Sequence, residues 1–329
     1  MNNNSRIKIG KPFRLNFLVY IAALAIIVCL GLSIQSFTNS EKNKEVDVEN
    51  CIYSVKSVKT PQKLEFAGER VPLDNFDIRE SLDKELLINT YWHSQTILFI
   101  KKANRYFPLI EQVLRANNIP DDFKYLAVAE SGLSNVVSPK KAVGFWQLLE
   151  GTAKDYGLEV TNEVDERYHL AKSTEAACKF FKESYEVYDS WTLTAASFNA
   201  GRRGIDRQIV RQKQNDYYDL LLFEETARYI YRILALKLVM SNPEEYGFYL
   251  DKNDFYSTIP YYEVKVDSTI TNIAEFALSH STNYKIVKIL NPWLRENSVS
   301  NKYNKTYIIK IPQMGIRSYS KVLKSDIND

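Results

Sequence analysis

Hydrophobic residues recur at steps of three and four between residues 75 and 250, which is the period of an amphipathic helix. The stretch 81–118 keeps this period, with Pro108 as an expected interruption. The turn NNIPDD ends this stretch, and Asp121 or Asp122 is expected to cap the next helix. Further helices are predicted over 173–188, 191–199 and 224–240. Because no strand pattern alternates with these helices, the fold class predicted here is mainly α.

The pattern changes after Tyr256. The segments YYEVKV and TYIIKIP are typical of strands, and TNIAEFALSH and NYKIVKILN between them are typical of short helices. This order predicts a small α+β domain of the βααβ kind over residues 258–314, followed by a tail over 315–329.

An uncharged stretch of eighteen residues, 17–34, lies near the N-terminus and is close to the roughly 20 residues that span a bilayer as a helix. Basic residues precede it, so the positive-inside rule places the N-terminus in the cytoplasm and the rest outside. Residues 1–36 are therefore predicted to be a cytoplasmic stub with a transmembrane signal-anchor, and 37–74 a linker. A cleaved signal peptide followed by secretion is the alternative.

The net charge of +3 is concentrated in this leader. Four basic residues (Arg6, Lys8, Lys11 and Arg14) precede the first acidic residue, Glu41, so the remainder sums to −1, which is +3 less +4. A near-neutral body without a Lys/Arg stripe argues against nucleic acid as a partner.

Cysteine and histidine usage predicts neither a metal site nor a cofactor. Cys29 lies in the apolar leader, which leaves Cys51 and Cys178. Those two could form one disulfide, or Cys178 could be an unpaired buried residue, which is the favoured alternative. The three histidines are far apart and have no ligand partners at motif spacing.

Glu130 ends an otherwise apolar helical run, KYLAVAESGL. On a helix it shares a face with Phe123, Leu126 and Ala127, so it is expected to point towards the core. Burial and the negative end of the helix both raise the pKa of a carboxyl group, and Gly132 offers a helix stop. The pattern fits a general acid and fits a buried structural ion pair equally well.

Four sequence blocks decide between these alternatives: ESGLSNVVSP, VGFWQLLEGTAKDYGL, ASFNAGRRG and EETARYIYRIL. In this order and spacing they resemble the catalytic domain of the lytic transglycosylases, which has a helical, goose-type-lysozyme-like fold. The resemblance covers roughly residues 75–240, and the catalytic domain is expected over 75–250. It implies non-hydrolytic cleavage of the β-1,4 bond between N-acetylmuramic acid and N-acetylglucosamine in peptidoglycan, which leaves 1,6-anhydro ends.

The resemblance assigns a role to each matched position. Glu130 corresponds to the single catalytic group, which acts first as acid and then as base. Substrate-binding residues are expected at Ser131, Ser138, Gly144, Phe145, Trp146, Gln147, Phe198, Asn199, Ala200, Gly201 and Tyr229. Glu225 and Thr226 are expected to be structural residues near the site.

Four of these positions carry more detailed expectations. The glycine of GFWQ is expected to let the backbone approach the sugar, and Gln147 to tie the loop or contact the glycan. Trp146 is either an aromatic platform for a sugar ring or a core residue. Phe198 replaces a tyrosine that is usual in the family, so a hydroxyl is lost.

Two other functions compete with this interpretation. A muramidase would hydrolyse the same bond and would need a second carboxylate, for which Asp155 and Asp165 are candidates. A membrane-tethered peptidoglycan-binding protein without activity would fit the loss of the hydroxyl at Phe198.

The C-terminal unit resembles a degenerate LysM module, which implies either glycan binding or a packing role against the catalytic unit. Together with the leader, the resemblance implies a single-pass protein of the bacterial inner membrane with its catalytic domain in the periplasm or cell envelope. Peptidoglycan is then the expected partner, and no cofactor is expected.

Overall fold

The computed structural model describes residues 55–302 and 304–317. The chain from Ser57 onwards forms one compact unit. The expected transmembrane segment lies outside the described residues. Within the described part of the chain, no helix is long and apolar enough to cross a membrane.

Helices dominate the region from 76 to 241, as predicted. They are α1 (Phe76–Tyr91), α2 (His93–Ala116), α3 (Lys124–Ser131), α4 (Glu150–Asp155), α5 (Leu170–Tyr188), α6 (Trp191–Ala200), α7 (Arg202–Gln212) and α8 (Glu224–Ser241). Short 3-10 turns occupy Asp121–Phe123, Glu166–Tyr168, Tyr217–Asp219, Pro243–Tyr246 and Lys252–Asp254. One apolar core joins these helices, and it contains the buried face of α3.

The predicted interruption at Pro108 is wrong, because α2 continues through this residue. The break falls instead at Trp92, between α1 and α2, where the backbone leaves the helical region with φ −85 and ψ 57. Pro108 is exposed, and buried residues on both sides of it, including Ile100 and Ile110, hold the helix against the core. Packing of these two turns offsets the one backbone hydrogen bond that the proline removes.

The predicted linker over 37–74 is folded in its last part. Strands β1 (Glu65–Phe66) and β2 (Glu69–Arg70) form an antiparallel hairpin. Phe66 is fully buried against Phe123, with ring centroids 5.5 Å apart. The Glu69 carboxylate accepts hydrogen bonds from the backbone N–H groups of Trp191 and Thr192 at the start of α6. The hairpin is thus part of the same apolar core as the helices.

Asp122 does not cap a helix as predicted. The turn Asp121–Phe123 has no side-chain cap. The Asp122 carboxylate instead accepts hydrogen bonds from the backbone of Ala67 and from the Lys237 ammonium, each at 2.7 Å. It therefore joins the hairpin to α8.

The C-terminal unit has the predicted βααβ order. Strands β3 (Tyr261–Val266) and β4 (Tyr307–Pro312) pair antiparallel, and α9 (Ile273–Ser279) and α10 (Tyr284–Leu290) lie between them in the chain. A second apolar core fills this unit.

The second core also contains side chains from the helical region, namely Val143, Val164 and Tyr168. Backbone hydrogen bonds cross the same boundary, from Asp165 N–H to the Trp293 carbonyl at 2.9 Å and from Arg295 N–H to the Glu163 carbonyl at 2.8 Å. The C-terminal unit therefore packs against the helical region, and glycan binding by it stays a prediction.

Cys178 is fully buried and free, and Cys51 lies outside the described residues. Burial raises the pKa of the Cys178 thiol to about 12, so the thiol stays protonated.

Candidate active site

Glu130 lies in the last turn of α3, which ends at Gly132 in the left-handed conformation (φ 58). The Gly132 N–H donates to the Val128 carbonyl at 2.8 Å and closes the helix. Phe123, Leu126 and Ala127 on the same face are all fully buried, as the helical period predicts. Glu130 is half-buried at the end of this apolar stripe.

The Tyr229 hydroxyl donates a hydrogen bond to Oε1 of Glu130 at 2.6 Å. Tyr229 lies on α8 and is only 2% exposed, so its ring is held by the core while its hydroxyl reaches the carboxylate. Two residues that the sequence assigned to the site thus form a hydrogen bond, although 99 positions separate them in the chain.

Burial raises the pKa of Glu130 to about 7, against a smaller lowering by the Tyr229 hydrogen bond and by the positive charge of Arg232. The negative charge of Glu225 adds to the increase. Burial and the nearby carboxylate raise the pKa of Tyr229 well above its usual value, so the hydroxyl remains a donor. Near neutral pH, Glu130 is available in both protonation states, which suits a group that donates and then accepts a proton.

The loop 144–147 is fastened next to Glu130 by hydrogen bonds. The Ser131 hydroxyl donates to the carbonyl groups of Ala127 at 3.0 Å and Phe145 at 2.9 Å, so it joins the end of α3 to the loop. Gln147 donates through Nε2 to the Gly144 carbonyl at 2.8 Å and the Val136 carbonyl at 3.1 Å. Gln147 thus ties the loop, which is the first of its two expected roles.

A glycine is required at position 144 because protein backbone packs directly against it. Its φ is +82, and a Cβ atom at this position would lie 2.2 Å from the Arg167 carbonyl oxygen. The expectation that this glycine makes room for a sugar is therefore replaced by a packing role against Arg167.

Trp146 is a core residue, so the prediction of an aromatic platform is wrong. Its side chain is fully buried, and its indole N–H donates to the Thr174 hydroxyl at 2.8 Å. This hydrogen bond satisfies the one polar atom of the ring and allows complete burial. Phe145 is also buried, with its ring centroid 4.8 Å from that of Tyr106.

The end of α6 borders the same region. Phe198 is half-buried and packs against the rings of Phe181 and Trp146, at centroid distances of 5.1 and 6.2 Å. Asn199 Oδ1 accepts a hydrogen bond from the Thr226 hydroxyl at 2.9 Å, which connects α6 to α8 one turn before Tyr229.

The remaining predicted positions are placed as follows. Ala200 and Gly201 are exposed. The Ser138 hydroxyl accepts the Ala142 N–H at 3.0 Å and so stabilises its own turn. Glu225 is exposed, and Thr226 is buried.

Neither of the two carboxylates considered for a muramidase is placed to act with Glu130 as a second catalytic group. Asp165 is buried in an ion pair with Arg167, at 2.7 Å, and is therefore committed to structure. Asp155 lines a separate depression with Tyr156 and Arg202. Of the carboxylates in the described chain, Glu225 is the one whose charge raises the pKa of Glu130.

Sequence reasoning missed two residues near the site. Arg232 follows Tyr229 by three positions on α8, a spacing that places both side chains on one helix face. This spacing could have identified Arg232 from the sequence. Lys102 of α2 donates through Nζ to the Gly132 carbonyl at 3.0 Å and the Ser134 hydroxyl at 2.6 Å, just beyond Glu130. No local pattern signals this contact, because the partners are 30 residues apart or more.

Comparison with known proteins agrees with this geometry. Residues 108–221 match the family model of the transglycosylase SLT domain, and 262–315 match that of the soluble lytic transglycosylase C-terminal LysM-like domain. The chain is 30% identical over 198 residues to membrane-bound lytic murein transglycosylase D of Escherichia coli (strain K12). The same protein of Escherichia coli O6:H1 (strain CFT073) shows the same identity.

These alignments cover 57% of this chain and 43% of each relative, so the chain spans less than half the length of the curated relatives it matches. Both Glu130 and the loop 144–147 lie inside the first matched region, and β3 to β4 fall almost entirely inside the second. The chain is therefore similar over residues 108–221 to the transglycosylase SLT domain, and over 262–315 to the LysM-like domain found at the C-terminus of soluble lytic transglycosylases.

Proposed function

We propose that this protein is a peptidoglycan lytic transglycosylase that cleaves the β-1,4 bond between N-acetylmuramic acid and N-acetylglucosamine without water. The observation that carries the proposal is the half-buried Glu130, held by the Tyr229 hydroxyl at 2.6 Å and with a pKa raised to about 7. The matched SLT domain and the similarity to the two murein transglycosylases support the same reaction.

In this reaction, protonated Glu130 donates its proton to the glycosidic oxygen as the bond to C1 of the muramyl residue breaks. The resulting carboxylate then accepts the proton of the C6 hydroxyl of the same sugar, whose oxygen bonds to C1 and closes the 1,6-anhydro ring. Tyr229 holds Oε1 by its hydrogen bond, and we assign the proton transfers to Oε2. One carboxyl group suffices because the nucleophile belongs to the substrate, whereas ordinary glycosidases need two.

Hydrolysis of the same bond is the second candidate, and the charge of Glu225 is the observation in its favour. Glu225 is exposed and electrostatically coupled to Glu130, so it is a better candidate for a water-activating base than Asp155 or Asp165. A binding protein without activity is a weaker candidate, because Glu130 and Tyr229 are both in place.

The decisive experiment is product analysis after digestion of isolated sacculi with the wild type and with Glu130→Gln. We expect the wild type to release 1,6-anhydromuropeptides and the variant to lose about 100-fold or more of this activity, since general acid–base catalysis supplies factors of this size. Glu224→Gln, an exposed change on α8, is the matched control and is expected to retain activity.

Mass spectrometry separates the candidates, because hydrolytic products are heavier by one water. Products carrying that water, together with loss of activity in Glu225→Gln, would assign the muramidase reaction instead. Unchanged release by a folded Glu130→Gln variant, with the fold checked by circular dichroism, would refute both enzymatic functions.

The finer domain organisation is part of the proposal. Residues 1–36 would anchor the protein in the inner membrane, 75–250 would form the catalytic domain in the cell envelope, and 258–314 would form the LysM-like domain. Similarity to relatives named as membrane-bound supports this arrangement. Recovery of the protein in the soluble fraction of lysed cells would contradict it.

A further inference from the structure

A cleft of about 540 Å³ lies between the catalytic unit and the LysM-like unit. This interdomain cleft is lined by Arg105, Tyr106 and Phe145 on the catalytic side and by Trp293 and Lys310 on the other. Its volume falls within the roughly 300–1,000 Å³ that is usual for ligand sites. Glu130 is not one of the described residues that line the cleft. The cleft is therefore distinct from the catalytic centre.

The charge of the interdomain cleft is positive. Of the described residues that line it, Arg105 and Lys310 are basic and none is acidic. The Arg105 guanidinium spends one donor, Nε, on the Ser257 carbonyl at 2.8 Å, and Lys310 Nζ lies 4.3 Å from the Tyr261 ring centroid. Neither cation forms an ion pair with a carboxylate of the described chain. A concave surface lined by one sign of charge concentrates ligands of the opposite sign.

His169 does not change this charge. Burial lowers its pKa to about 4, with the positive charges of Lys172 and Lys310 adding to the effect. The imidazole is neutral at physiological pH, and the positive potential comes from Arg105 and Lys310.

Polar and aromatic groups complete the lining. Gln112, Asn135 and Gln313 contribute side-chain amides, which can both donate to and accept from peptide bonds. Aromatic rings, including Tyr106 and Trp293, provide flat apolar surface between them. Two cations without an ion-pair partner among the described residues, side-chain amides and apolar rings together match a short peptide that carries carboxylates.

The interdomain cleft adjoins the catalytic loop. Phe145 lines the cleft, and its carbonyl oxygen accepts the hydrogen bond from Ser131, the residue that follows Glu130. A ligand in the cleft would thus lie next to a substrate bound at Glu130. In peptidoglycan the lactyl carboxyl group of the sugar is used to attach the peptide, so the free carboxylates belong to the stem peptides.

We propose that the interdomain cleft binds the acidic stem peptide of peptidoglycan, with Lys310 and Arg105 pairing to its carboxylates. The proposal rests on the proposed function, because it assumes that peptidoglycan is the substrate. It assigns the LysM-like unit a direct part in substrate recognition through the face that β3, β4 and the Trp293 segment turn towards the catalytic unit.

The test measures binding by calorimetry to the full chain carrying Glu130→Gln, which prevents turnover. The probes are an isolated stem tetrapeptide, the same peptide with its carboxylates amidated, and the peptide-free disaccharide. We expect the tetrapeptide to bind and the amidated peptide to bind at least about tenfold more weakly, since each charge-assisted hydrogen bond contributes about this factor.

Substitutions identify the site. Lys310→Gln is expected to raise the Kd of the tetrapeptide about tenfold, whereas Lys310→Arg keeps the charge and most of the affinity. Lys265→Gln is the matched control, because Lys265 is an exposed lysine on the same sheet that does not line the cleft. Equal binding of the amidated peptide, failure of the tetrapeptide to bind while the disaccharide binds, or an unchanged Kd in a folded Lys310→Gln variant would overturn the proposal.

The outcome is separable from that of the proposed function. Release of 1,6-anhydromuropeptides by the wild type without tetrapeptide binding would refute the cleft assignment alone. Tetrapeptide binding that depends on Lys310 supports the assignment even where product masses indicate hydrolysis.

Discussion

The pKa of Glu130 results from four influences of different sign. Burial raises it and is the largest, the Tyr229 hydrogen bond and Arg232 lower it, and Glu225 raises it. Three of these partners lie on α8, so this one helix adjusts the proton affinity of a group on α3. Substitutions on α8 can therefore change the pH range of activity without touching the reacting group.

The first consequence concerns the pH profile. Because the free enzyme needs protonated Glu130, kcat/KM should fall as pH rises through about 7, the pKa of this group. Glu225→Gln removes a negative neighbour, which makes the carboxylate easier to form, and should shift this fall to lower pH by about half a unit to one unit. Arg232→Gln should shift it to higher pH for the opposite reason.

Steady-state rates on soluble glycan strands between pH 5 and 9 provide the measurement. Glu224→Gln is the matched control, since Glu224 is the adjacent exposed acid on α8 and pairs with Arg228. A shift of equal size in both variants would mean that general surface charge, rather than the proximity of Glu225, sets the pKa.

The sequence predicted which residues lie at the candidate site better than it predicted what each of these residues does. Glu130 could be placed on the core face by helical period alone, and the family blocks added Tyr229 to the site, whereas its hydrogen bond to Glu130 is known from the structure. The complete burial of Trp146 could not be predicted. A tryptophan is buried where its N–H has an acceptor, and the acceptor here, Thr174, lies 28 positions away in the chain. The same limit applies to Gly144, whose neighbour Arg167 is distant in sequence.

At the scale of elements, the loop 144–147 is held in one conformation by its surroundings. Arg167 contributes its carbonyl oxygen against Gly144, and its guanidinium donates to the carbonyl groups of Lys141 at 3.2 Å and Leu148 at 3.4 Å. Both sides of the loop thus depend on this one arginine, and the loop in turn supports Ser131 beside Glu130.

This dependence predicts different effects for two glycine substitutions. Gly144→Ala should lower the free energy of unfolding by about 3–5 kcal/mol, because a left-handed φ and a backbone clash both oppose a Cβ atom there. Gly151→Ala, on α4 with open space around it, should be neutral or raise the free energy by up to about 1 kcal/mol. Urea unfolding measures both, and equal stability of the two variants would contradict the close approach of Arg167.

Elements with a long apolar period were predicted closely, and short ones were not. The predicted helices at 173–188, 191–199 and 224–240 correspond to α5, α6 and α8 with ends that differ by three residues or fewer. The β1–β2 hairpin has strands of two residues, which are too short to show a period, and it is held by distant partners such as Asp122. The predicted interruption at Pro108 was wrong because packing of the helical turns on both sides of this residue outweighs the helix-breaking preference of proline.

At the scale of the molecule, the catalytic and LysM-like units share an apolar core. Val143, Val164 and Tyr168 of the catalytic unit are at most 8% exposed in this arrangement. Polar contacts reinforce it, for example the Glu163 carboxylate accepting from the Ser300 N–H at 3.0 Å and the Ser300 hydroxyl at 2.8 Å. The two units are therefore expected to unfold together.

Deletion of residues 258–329 should therefore destabilise the catalytic unit. Three apolar side chains would become exposed, and at about 1.5–3 kcal/mol each the loss is expected to reach about 4 kcal/mol or more. Thermal unfolding of the deleted and full chains measures this loss. Deletion of the predicted tail alone, 315–329, is the control, since β4 ends at Pro312. A catalytic unit with an unchanged melting temperature after the larger deletion would refute the shared core.

The segment Asp165–Arg167 also bears on how this protein can evolve. Its Asp165 N–H is bonded to Trp293 of the LysM-like unit, while its Arg167 supports the loop beside Glu130. A C-terminal unit exchanged with that of a relative would place a different segment against Asp165. The change would disturb Arg167, two residues further on, which supports the loop 144–147. We therefore expect the two units to be inherited together rather than exchanged as independent modules.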